Sequence, residues 1–149
     1  MGELGRALKD RSSTDVFFDD SQLLVVTAKS FGGFAGVASV SLLDVHVADD
    51  ELGAHVQSAW DLKEREPEYN QELLEESWDV VSQAFGGRHH GELRYVAVNR
   101  GQDSIGVVPT EWKGDNRFFR PQDGELLPLD VSDEELGAAV RRAMALTTS

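Results

Sequence analysis

The chain has 149 residues, with 27 acidic against 14 basic side chains, a formal net charge of −13, 40% hydrophobic residues and no cysteine. That length suits one domain with a core of ordinary size. The charge opposes binding to a phosphate backbone, and the lack of cysteine excludes disulfides, thiolate metal sites, iron–sulfur clusters and thiol nucleophiles.

In chain order, the opening MGELGRALKD has no apolar signal-peptide core. No later apolar run approaches the ~20 residues of a membrane span, so the expected location is cytoplasmic. SQLLVVTAKSFGG, from Ser21, reads as a strand leading into a turn, and LLDVHV, from Leu42, as a second strand. Apolar residues then recur at Leu52, Val56, Ala59 and Trp60. That spacing predicts an amphipathic helix near 49–64. Beyond Pro67 two stripes run at spacings of four and three. Leu74, Trp78, Val81 and Phe85 form one; Glu68, Glu72, Glu75 and Asp79 form the other, on nearly the opposite side. An acidic amphipathic helix is predicted there, about 67–85, ended by Gly86-Gly87.

ELRYVAVN and SIGVVPT then flank RGQD, a strand pair joined by a hairpin. TEWKGDNRFF reads as a turn carrying the aromatic Trp112. LLPLDV, from Leu126, is a strand, and Leu136, Val140, Ala143 and Met144 mark a last helix near 132–146. Its start, Ser132-x-x-Glu135, is a capping box.

The last strand and helix repeat the earlier pair. LLDVHVADDELGAHVQSAWD from Leu42 and LLPLDVSDEELGAAVRRAMA from Leu126 align without a gap, 84 positions apart. They share Leu-Leu, Val, Asp, Glu-Leu-Gly-Ala, Val and Ala. Glycine in a first helical turn costs about 1 kcal/mol relative to alanine. Its recurrence as Gly53 and Gly137 predicts a packing reason, such as backbone against sheet. The expected architecture is α+β. One domain spans 1–149, a largely antiparallel sheet with two pseudo-symmetric helices packed on it, plus the inserted acidic helix. Its pseudo-repeat halves are about 14–64 and 92–146.

DELGAHVQSAW and DEELGAAVRRAM, with Val108-Pro109-Thr110 between them, resemble a pattern in immunity proteins of bacterial contact-dependent growth inhibition systems. The likeness runs from about Ser41 to Met144. The chain ends MALTTS where the family pattern closes on an aromatic, a basic residue and cysteine. The resemblance implies a cytosolic protein that binds and blocks the C-terminal domain of a cognate toxin, often a nuclease with a basic surface.

No catalytic template is present: there is no phosphate-binding glycine loop and no Gly-x-Ser-x-Gly elbow. His89 and His90 are neighbours whose side chains diverge, and His46 and His55 stand singly, so no metal, cofactor or enzymatic activity is expected. The contact surface is instead sought in the acidic insertion, where eight acids stand against Lys63 and Arg65 between Asp61 and Asp79. Glu64, Glu66, Glu68, Glu72, Glu75, Glu76 and Asp79 are the expected toxin-binding residues, with Trp112 and Asp115 as a second group. The same acids would also suit a plain solvated helix face, or an acidic chaperone or adaptor for a basic protein.

Overall fold

Among the described residues, short alternating runs and amphipathic segments become seven strands and two long helices. The computed structural model describes residues 12–31, 34–61, 81–83, 85–87, 93–113 and 116–147. The strands are β1 (Ser12–Phe18), β2 (Gln22–Phe31), β3 (Phe34–Asp44), β4 (Tyr95–Arg100), β5 (Ser104–Lys113), β6 (Asn116–Phe119) and β7 (Glu125–Pro128). The helices are α1 (Asp49–Asp61) and α2 (Asp133–Leu146). All strand pairs are antiparallel, in the order β3-β2-β1-β4-β5. The long β5 then pairs with β7 along its first half and with β6 along its second. Among the described residues no helix is long and apolar enough to cross a membrane.

The repeat seen in the sequence is a pseudo-twofold axis in the fold. At the sheet centre Thr14 faces Val98, Asp15 faces Ala97 and Val16 faces Val96. Each residue of β1 thus corresponds to one of β4 82 positions later (97 − 15), and the axis passes through the Asp15–Ala97 pair. The relation extends outward. Val25 pairs with Val16 as Val107 pairs with Val98, and Leu43 pairs with Leu23 as Leu127 pairs with Ile105.

The helices obey the same symmetry, now at the offset of 84. The Val47 amide donates to the Asp44 carbonyl (3.0 Å) as that of Val131 donates to Pro128 (3.1 Å). Gln57 donates to the Val131 carbonyl (3.2 Å) and to Asp133 Oδ1 (2.9 Å). Its counterpart Arg141 donates to the Val47 carbonyl and to Asp49 Oδ1 (3.4 Å), and also to the Val45 carbonyl. Ser132 caps α2 by accepting from the Glu135 amide (3.1 Å), as its capping box predicts.

The glycines have a different reason from the one expected. A Cβ on Gly53 would lie 1.8 Å from the Asp133 carbonyl oxygen, and one on Gly137 would lie 1.8 Å from that of Asp49. Each glycine therefore admits the first residue of the opposite helix, not the sheet. One further reading changes. Trp112 lies within strand β5 instead of in a turn. Pro109 lies inside β5 at the break between its β7 and β6 pairings. Its carbonyl accepts from the Arg120 amide (2.9 Å). The N–H that proline lacks would point to that same side, into the break, so no ladder bond is lost.

The main core lies between sheet and helices. Leu52, Val56 and Trp60 of α1 meet Leu136, Ala139, Val140 and Ala143 of α2 over Val16, Leu23, Val25, Val96, Val98, Ile105 and Val107. Leu52, Val56, Leu136 and Val140 are fully buried, as their spacing predicts. A polar seam in this core is satisfied: Trp60 Nε1 donates to Thr14 Oγ1 (2.9 Å), which shares a hydrogen bond with Thr27 Oγ1 (2.9 Å). Arg120 donates to the Leu146 carbonyl (3.2 Å), placing a cation at the C-terminus of α2, where the helix dipole favours it.

Two expectations follow for chemical denaturation. Leu52→Ala and Leu136→Ala should each cost about 2–5 kcal/mol. Gly53→Ala and Gly137→Ala should each cost at least the 1–3 kcal/mol typical of overpacking, despite alanine's better helix propensity. Gly101→Ala, whose Cβ would meet nothing closer than 3.5 Å, should be nearly neutral.

Candidate protein-binding surface

The sheet face away from the helices carries what the repeat does not. Alternation along each strand sends Asp15 and Phe17 of β1, Leu24 and Val26 of β2, and Tyr95 and Ala97 of β4 to this far face. From β5 come Gly106, Val108, Thr110 and Trp112, from β6 Arg117 and Phe119, and from β7 Leu126. On the helix face the central positions of the two halves match closely: Val16 with Val98, Leu23 with Ile105, Val25 with Val107, Leu52 with Leu136 and Val56 with Val140. Here they diverge: under the pseudo-twofold Phe17 corresponds to Asn99 and Leu24 to Gly106 (offsets of 82).

The larger side chains form a second, smaller core. Phe17, Leu24, Val26 and Leu93 pack with Val81 and Phe85, and half-buried Tyr95 closes the cluster. Val81 and Phe85 belong to the apolar stripe of the insertion, so its C-terminal end sits on this face. Residues 81–83 are helical, and Gly86 and Gly87 follow with φ of 73° and 82°. Only glycine adopts such angles freely, which matches the predicted stop. An aromatic row crosses the sheet here. Phe17 and Tyr95 have ring centroids 5.2 Å apart, and Phe119 meets Tyr95 edge-on at 6.3 Å. The Arg117 guanidinium lies over the Trp112 ring at 5.6 Å.

The other half of the face is shallow. Gly106 has no side chain, Asn99 is exposed and Val108 is half-buried. Leu126, beside Gly106 on β7, is 80% exposed, and Phe119 on β6 is 57% exposed. Leu42, the counterpart of Leu126 at the opposite edge of the same face, is 58% exposed. Between the covered half and the shallow half stands Asp15, in a cross-strand row with Val26, Ala97 and Val108. Loss of solvent in this apolar row holds its carboxyl up at about 6, against an ordinary 3.8. Burial raises the Tyr95 phenol too; the Asp15 charge adds to that rise, and Arg117 opposes it.

This fold is known from solved structures. The chain has a TM-score of 0.71 with a protein of unknown function from Neisseria meningitidis, at 16% identity, covering 94% of this chain and 97% of that one. It has a TM-score of 0.70 with a chain of the CdiA-CT/CdiI toxin and immunity complex from Yersinia pseudotuberculosis, at 16% identity, covering 93% of this chain and 98% of that one. The shared feature is the fold. No family model matches the sequence, and no curated protein does.

Of the residues expected to bind a partner, Glu64, Glu66, Glu68, Glu72, Glu75, Glu76, Asp79 and Asp115 lie outside the described residues, as do His89 and His90. Trp112 is described: it is half-buried on the far face, in the same aromatic and cationic group as Arg117 and Phe119. Val81 and Phe85 bring one end of the acidic insertion to this same face. Among the described residues there is no group of three or more His, Asp or Glu able to hold a metal.

Asp15 escaped the sequence reading, although TDVFF carries its signal: one acid in an alternating apolar strand, on the side of Phe17. Its pH behaviour is testable. The folded protein keeps the Asp15 proton to about pH 6, whereas the unfolded chain releases it near 3.8, so this group's contribution to stability falls as pH rises between those values. Asp15→Asn should flatten that fall and be roughly 1–3 kcal/mol more stable than the parent at pH 7, read from urea unfolding at pH 4, 5, 6 and 7. Parallel pH profiles for parent and variant would refute the assignment.

Proposed function

We propose that this chain is an immunity protein: it binds the C-terminal toxin domain of a contact-dependent growth inhibition or related polymorphic toxin system and blocks it. The observation that carries this reading is the fold, shared over 93% of the chain with a chain of a toxin and immunity complex. The net charge of −13 supports a basic partner, such as a nuclease whose substrate surface is cationic. Inhibition by this route needs no chemistry from the inhibitor, only a surface that covers or fills the toxin's site.

In this reading the two repeated helices are scaffold and the insertion between them is a contact region. Glu64, Glu66, Glu68, Glu72, Glu75, Glu76 and Asp79 meet the basic surface, with Trp112 and Asp115 adding to it. Exposed ion pairs are worth only about 0.2–1 kcal/mol each, so their joint effect lies mainly in the speed and selectivity of encounter.

The first test is co-purification with the C-terminal domain encoded by the adjacent reading frame, and protection of cells that express that domain. The second is kinetic. Reversing the charge of Glu68, Glu72, Glu75 and Asp79 together should slow association at low salt by about 10-fold or more and remove most of its salt dependence, with the melting transition unchanged. Association as fast as the parent's would mean that the acidic side is only a solvated surface.

A further inference from the structure

Asp15 is an unusual residue to find at a sheet centre. It occupies the pseudo-twofold axis, between Val26 on β2 and Ala97 on β4, with Val108 next in the row. Among the described residues it has neither a hydrogen bond nor an ion pair. It is not sealed in: its side chain keeps part of its access to solvent. The charged or titratable described groups on its face are Tyr95 from β4, Arg117 from β6 and, at the outer end of β3, exposed Asp44; Arg117 is engaged over Trp112.

The surroundings select the kind of group that could satisfy this carboxylate. The shallow half beside it offers Val108, Gly106, exposed Asn99, and the exposed apolar side chains of Leu126 and Phe119. A single carboxylate at the edge of an apolar dip is too poor a donor set for a divalent cation, which takes six or more oxygens. It does match a long side chain whose stem is apolar and whose tip is cationic. The apolar rim would cover the methylenes, and the carboxylate would take the charge away from water, where an ion pair is strongest.

We infer that the shallow half of the far face is a docking site for a protein partner, and that the partner seats a lysine or arginine against Asp15, with its stem along Ala97 toward Val108 and its flanking apolar groups against Leu126 and Phe119. This rests on the toxin-binding reading and adds a central contact distinct from the acidic insertion. The insertion steers encounter; Asp15 holds the complex once formed. Removing one member of a buried, charged interface pair acts mainly on dissociation.

The test uses the full chain and the C-terminal domain from the adjacent reading frame. Asp15→Asn should speed dissociation by about 30-fold or more with little change in association. Asp130→Asn, which removes an exposed charge in the turn before α2, should change neither. Calorimetry at pH 6 in buffers of different ionisation enthalpy adds a readout that a merely structural role would not move. A cation seated on Asp15 drives off its proton, so the parent should release roughly half a proton on binding and Asp15→Asn less. Equal dissociation rates for parent and Asp15→Asn, or proton uptake by the parent, would overturn the inference while leaving toxin binding intact. Failure of the parent to hold the domain at all would overturn the toxin-binding reading itself, and this inference with it.

Discussion

Two backbone contacts set the geometry of the molecule. Gly53 admits the Asp133 carbonyl and Gly137 admits that of Asp49, so each helix rests its first residue in the first turns of the other. At this separation no side chain fits between the two first turns, and the crossing is pinned there by both helices. Gln57 and Arg141 then hold the incoming chain of the opposite half, each reaching a carbonyl before the helix and the carboxylate at its start. Once the helices are locked in this way, Leu52, Val56, Leu136 and Val140 must point at the sheet together. The sheet below must offer two equivalent patches, as Val16, Leu23 and Val25 and their counterparts Val98, Ile105 and Val107 do.

The symmetry stops at the sheet. On the helix side the central core positions of both halves carry like residues because they bury like shapes. On the far side that constraint is absent, and the halves part: Phe17 and Leu24 against Asn99 and Gly106. One half gains a second core under Val81 and Phe85; the other stays shallow and keeps Leu126 and Phe119 exposed. A repeated scaffold can hold its fold with one face and leave the other free to differ between its halves.

Much of this was legible in the chain. The helix-side repeat was visible because burial at a period of 3.6 residues leaves a pattern that survives in Leu52, Val56, Leu136 and Val140. The purpose of Gly53 and Gly137 was not, since a glycine records that something comes close without recording what. Trp112 reads as a turn residue because Lys-Gly-Asp follows it in the sequence, whereas β5 runs on through Lys113. Asp15 was missed for a physical reason: its significance lies in cross-strand neighbours more than 10 residues away, Val26 on one side and Ala97 on the other, and pairing register cannot be read from composition.

The face used for binding decides the matter. Cross-saturation from the proposed toxin-domain partner, observed on methyl groups of this chain, separates the two faces of the sheet directly. Binding on the far face should carry saturation to the methyls of Val108 and Leu126 and leave Leu146, exposed at the end of α2, untouched. Saturation centred on Leu146, with Val108 and Leu126 silent, would contradict the account.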